Sequence, residues 1–191
     1  MFQYKFHISF LLAWTVILMV VCNLEGQLPN YGVGNPPTTD EIRHWDIAIN
    51  PDGNELPTGE GTAIKGKKIY QTQCAECHGS EGQGSNQGGA LVGGKGTLTK
   101  SNPIKTVGSY WPYATTLWDY INRSMPFYRP GTLTNNQVYA VVALILNLNG
   151  IIGENEIMNS ETLPKVEMPN RKGFVSDPRP DIKRTQHNHK K

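Results

Sequence analysis

Cys74-Ala75-Glu76-Cys77-His78 is where residue types and spacing together prescribe a chemistry. The pattern C-x-x-C-H is the attachment signal for a c-type haem. Thiols at this spacing share one face of a helical turn, so both can form thioethers with the vinyl groups of one porphyrin. His78, next in line, can then offer an axial nitrogen to the iron. A bare C-x-x-C has two other readings. A redox-active pair belongs in a βαβ context, and a zinc site needs a second set of ligands. Neither surrounds this motif, and the remaining cysteine, Cys22, lies far upstream. A second C-x-x-C-H is absent, so the reading is one haem per chain.

The elements that must position this motif follow from periodicity and punctuation. Residues 63–77 read as a first helix that ends in the motif, with Ile64, Ile69 and Tyr70 as a partial apolar stripe. Gly66 inside it costs about 1 kcal/mol against Ala, which close approach of another helix would offset. Residues 79–109 form a glycine-rich loop able to run backbone close to a flat cofactor. One of its carbonyls is expected to accept from the His78 Nδ1–H and fix the ring. Gly89 to Lys95 superficially fits a phosphate loop, but Gly96 stands where a Ser or Thr is needed. A helix starts just after Pro112, with Trp118, Ile121, Leu117 and Tyr120 as core and pocket wall. Residues 132–149 form the clearest helix, opened by a Thr134–Gln137 capping box and stopped at Gly150.

Candidates for the second axial ligand are Met125, Met158, Met168 and His44. Met125 is favoured. It ends a helix and is followed by Pro126, which turns it out of helical conformation and lets its thioether face the iron. Met158 and Met168 sit in the irregular tail and suit apolar filling.

The rest of the chain bounds the setting. Residues 1–26 read as a signal peptide, with Lys5 ahead of an apolar run from Ile8 to Cys22 that is short for a membrane span. Cleavage near Gly26 or Cys22, a lipid on Cys22 and retention as an anchor all stay open. Residues 27–62 read as an irregular arm, 63–150 as the haem domain and 151–191 as an extended tail. The formal net charge is +2, which gives no support to nucleic-acid binding. Export agrees with a covalent haem, and the expected location is periplasmic, at a membrane only if the N-terminal segment is retained.

With His78 and Met125 placed, the chain resembles the class I cytochromes c. The resemblance implies an all-α wrap of helices around haem c, with crossed first and last helices, an N-terminal arm and an irregular C-terminal extension. Gly66 and Tyr70 match the family's small/aromatic pair on its first helix. Ala90-Leu91 occupies the place of a family Pro-Leu whose carbonyl holds the axial His, so the resemblance implies that role for the Ala90 carbonyl. A narrower likeness rests on Trp45-Asp46-Ile47, Pro51-Asp52-Gly53, Leu91-Val92-Gly93-Gly94, the run from Thr106 to Ile121 (TVGSYWPYATTLWDYI), Met125-Pro126-Phe127, Leu146 to Ile151 (LNLNGI), Leu163-Pro164-Lys165-Val166 and Met168-Pro169-Asn170-Arg171. These are similar to the cytochrome subunit of the Sox sulfane dehydrogenase and to sulfite dehydrogenase cytochromes. That likeness implies an electron-transfer subunit rather than a catalyst on its own. Its implied partners are a molybdenum-cofactor dehydrogenase subunit and a downstream cytochrome or oxidase. A freestanding shuttle and a haem peroxidase or ligand sensor with an open sixth position are the alternatives.

Overall fold

The computed structural model describes residues 31–177 and 179; the targeting segment read at residues 1–26 lies outside them. The chain divides into one unit ending at Trp45 and another starting at Asp46. In the first, the described residues hold helix α1 (Thr39–Trp45). Thr38 and Glu41 open it reciprocally: the Glu41 N–H donates to the Thr38 hydroxyl at 3.2 Å and the Thr38 N–H to the Glu41 carboxylate at 2.8 Å. His44 spends its Nδ1–H on the Asp40 carbonyl, 2.7 Å away on the same helix.

The second unit is built on a helix crossing. After the two-residue strand β1 (Glu60–Gly61), α2 (Ala63–Gln73) starts on Thr62, whose hydroxyl accepts from the Lys65 N–H. The short turn α3 (Ala75–His78) and then α4 (Ala114–Ser124) follow. The central helix is α5 (Asn135–Leu148), opened by the expected capping box at Thr134 and Gln137. Its end is a Schellman turn, with Gly150 at φ +65° and the Ile151 N–H on the Leu146 carbonyl at 3.0 Å. Every residue of α5 from Val138 to Leu146 is buried, as befits a helix that is apolar all round.

Gly66 is the contact between α2 and α5. A Cβ at this position would overlap the Ala140 carbonyl. The expected apolar stripe of α2 is displaced, however. Ala63, Gly66 and Tyr70 form the buried face, and Ile64 is 56% exposed. Gly66 holds the middle of that face because only a residue without a side chain lets the two backbones come so close.

Residues 63–77 are also not one helix. The Cys74 N–H still donates to the Tyr70 carbonyl at 2.9 Å, but Cys74 itself turns to φ −127°. Its carbonyl starts the next turn, accepting from the N–H groups of Cys77 and His78.

Irregular chain at both ends closes the core. Ile49 and Leu56 from the arm and Leu163, Val166 and Met168 from the tail are buried. Strand β2 (Met158–Asn159) pairs antiparallel with β1, Gly61 opposite Met158. This ladder is an addition to an otherwise all-α fold. Among the described residues no helix is long and apolar enough to cross a membrane.

Candidate haem site

A cavity of about 510 Å³ lies between α2, α3, the glycine-rich loop, α4 and α5, within the size range of cofactor sites. Its walls are mostly aliphatic and aromatic, including Leu117, Ile121, Val141 and Ile145. Cys74, Cys77 and His78 all reach it, which the break at Cys74 permits, and so does Met125. Burial, aided by the nearby Cys77, pushes the Cys74 thiol up to about 11. Among the described residues no group of three or more His, Cys, Asp or Glu side chains is arranged to hold a bare metal ion.

The loop after His78 is folded back on α3. The Ser85 hydroxyl donates to the Cys77 carbonyl at 2.6 Å. Gly88 passes so close that a Cβ would stand 2.8 Å from that same carbonyl oxygen. The loop then presents the Gly89 carbonyl to His78 Nδ1 at 2.8 Å. A carbonyl only accepts, so Nδ1 carries the proton and Nε2 keeps its lone pair for a metal. The acceptor is Gly89 and not Ala90. The register is set one residue later, where the Leu91 and Val92 N–H groups both donate to the Gly82 carbonyl. That grip leaves the Gly89 carbonyl turned towards the imidazole.

Further along, the loop is held by Asn149 and Thr106, which local pattern gives no reason to single out. Asn149, capping α5, donates to the Leu91 carbonyl at 3.1 Å and accepts from the Gly93 N–H at 3.1 Å. Buried Thr106 donates to the Gly93 carbonyl at 2.6 Å. Tyr70 reaches from α2 to the Gly79 carbonyl at 3.0 Å, and burial raises its phenol to about 12.

Met125 caps α4 in extended conformation, φ −125° and ψ 148°, with its N–H on the Ile121 carbonyl. The other methionines go elsewhere. Met158 lies in the β1–β2 ladder and Met168 in the core, each 3% exposed, and neither lines the cavity. The donor set at the cavity is therefore two thiols, an imidazole with a free nitrogen and a thioether, around apolar walls. These residues fit a covalently bound haem.

Residues 63–149 match the family model for cytochrome c. A chain of the sulfane dehydrogenase SoxCD from Paracoccus pantotrophus is 39% identical and superposes with a TM-score of 0.72, over 78% of this chain and 73% of that one. A thiosulfate dehydrogenase of Stutzerimonas stutzeri (strain A1501) is 30% identical over 132 residues. That alignment covers 58% of this chain and 41% of the relative, so the match spans about two fifths of that relative's length.

The chain belongs to the cytochrome c family, with the all-α fold of its class I members, a covalently bound haem c and a role in electron transfer. Within that family it resembles a sulfane dehydrogenase and a thiosulfate dehydrogenase.

Proposed function

We propose that Cys74 and Cys77 carry the haem as thioethers, that His78 and Met125 take its two axial positions, and that the chain is the periplasmic haem subunit of a molybdenum-dependent dehydrogenase acting on a sulfane or sulfite-type sulfur compound. One observation carries the ligand assignment: His78 and Met125 border the same cavity while Nδ1 of His78 is committed to Gly89. The likeness to SoxCD and to a thiosulfate dehydrogenase supports the sulfur partner.

The haem supplies a one-electron Fe(II)/Fe(III) couple. The polypeptide fixes its orientation and tunes its potential. The Gly89 carbonyl fixes the imidazole plane and raises its basicity. The Met125 thioether and the apolar walls favour the reduced state relative to a bis-His site in water. Both described cysteines are used up as attachment points, which leaves the sulfur chemistry to the partner. A downstream cytochrome or oxidase then takes the electron.

Isolation from its native host at low salt tests the subunit reading. Retention of a molybdenum-containing protein, with molybdenum and haem iron in equal amounts, is expected. A haem protein that emerges alone at every ionic strength would instead be a freestanding shuttle. The ferric spectrum tests the ligands: a weak far-red band marks Met–Fe(III), and a high-spin spectrum removes Met125 from the iron.

A further inference from the structure

The loop after α4 lies at the cavity mouth, which Pro126, Phe127 and Tyr128 help to line. Phe127 is 71% exposed and Tyr128 87% exposed. Within the loop, the Arg129 N–H donates to the Pro126 carbonyl and the Thr132 hydroxyl to the Arg129 carbonyl, each at 2.8 Å. These bonds shape the loop without attaching it to anything. The attachment is the Arg129 side chain, whose Nη2 donates to Gln73 Oε1 at 2.9 Å. Among the described residues this is the only hydrogen bond or ion pair that joins residues 126–132 to α2 or α3. Gln73 is the last residue of α2, adjacent to Cys74, and both it and Met125 line the cavity.

We propose that Arg129 is a positioning residue for the sixth iron ligand: its bond to Gln73 fastens the Met125 loop across the cavity mouth and slows departure of the thioether from the iron. The proposal rests on the reading of Met125 as that ligand. When the thioether leaves, the loop must swing outward. Helix α4 ends at Ser124, and the Arg129–Gln73 bond is the polar tie from the loop to α2 that such a swing breaks.

Stopped-flow binding of imidazole to the ferric, haem-loaded full chain reads this step, at a pH where the probe is neutral. At saturating imidazole the rate is that of thioether departure. R129A and Q73A are each expected to raise it roughly two- to tenfold, the span of one modest hydrogen bond. The resting far-red band is expected to persist in both. The double variant is expected to be no faster than the faster single one, because both remove the same bond. R129K, which keeps a donor and a charge, is expected to fall between wild type and R129A. Unchanged rates in the single variants, or effects that multiply in the double, would overturn the proposal. If R129A loads haem poorly, Q73A tests the bond from its other end. A ferric wild-type protein with no Met–Fe(III) band overturns the Met125 assignment first and this proposal with it.

Discussion

The imidazole of His78 and the carbonyl of Gly89 form a 2.8 Å hydrogen bond that leaves one ring nitrogen free at the cavity wall. Because the acceptor is backbone, side-chain substitution does not remove it directly. The imidazole side of the site is therefore fixed by backbone, whereas Met125, the proposed second ligand, is open to side-chain substitution.

Replacing Met125 with His is expected to abolish the far-red band and to lower the midpoint potential. Axial ligands span about 0.8 V across haem proteins, and a fall on the order of 0.1 V or more is expected here. Spectroelectrochemical titration checks it. An unchanged spectrum and potential would remove Met125 from the iron.

Gly66→Val should destabilise the fold without touching the cavity. The added side chain meets the Ala140 carbonyl, a backbone group that moves only if α5 moves. Overpacking of this kind costs about 1–3 kcal/mol. Thermal unfolding of the haem-loaded protein should show a clear drop in Tm, with the visible spectrum at room temperature unchanged. A Tm at or above that of wild type would mean that the helices do not cross at this position.

Asp119 ties the arm to α4. Its side chain is 12% exposed, and its carboxylate accepts from the Ile49 N–H at 3.0 Å and from both Nε, at 2.9 Å, and Nη2 of Arg123. This pair raises the guanidinium pKa still further. Asp119→Ala leaves a buried N–H without a partner, at a cost of about 1–3 kcal/mol. Asp119→Asn keeps an acceptor for Ile49 and should cost less. Denaturant melts of the two variants check the order; equal losses would mean that the ion pair matters and the Ile49 bond does not.

Stability should fall at high pH through two buried phenols. Tyr139 donates to the Pro57 carbonyl at 2.9 Å, and burial pushes its pKa up to about 12, as it does for Tyr70. In the unfolded chain a phenol titrates near 10. The folded state thus holds protons that the unfolded state gives up. The contribution of each is intact below about pH 10 and is lost progressively as pH rises towards 12. Tyr139→Phe should flatten that decline while lowering stability near neutrality, because the Pro57 carbonyl loses its donor. Melts between neutral pH and the alkaline limit check both parts; an alkaline slope unchanged by the substitution would argue against Tyr139.

What the sequence by itself determined is what neighbours along the chain decide. The spacing of Cys74, Cys77 and His78 names the cofactor, since a single helical turn is enough to bring them together. The Thr134–Gln137 box and Gly150 set the limits of α5 through bonds of one turn's reach. Met125 before Pro126 was legible as a helix end, and Gly66 as a crossing point. Tertiary structure decided the rest. It broke the first helix at Cys74, gave the His78 bond to Gly89 instead of Ala90, buried Asp119 against Ile49, and paired Gly61 with Met158. Each of these depends on which distant backbone or side chain arrives at a given place. Periodicity carries information over about one helical turn, whereas these contacts join segments whose meeting is fixed only when the apolar faces of α2, α4 and α5 pack together.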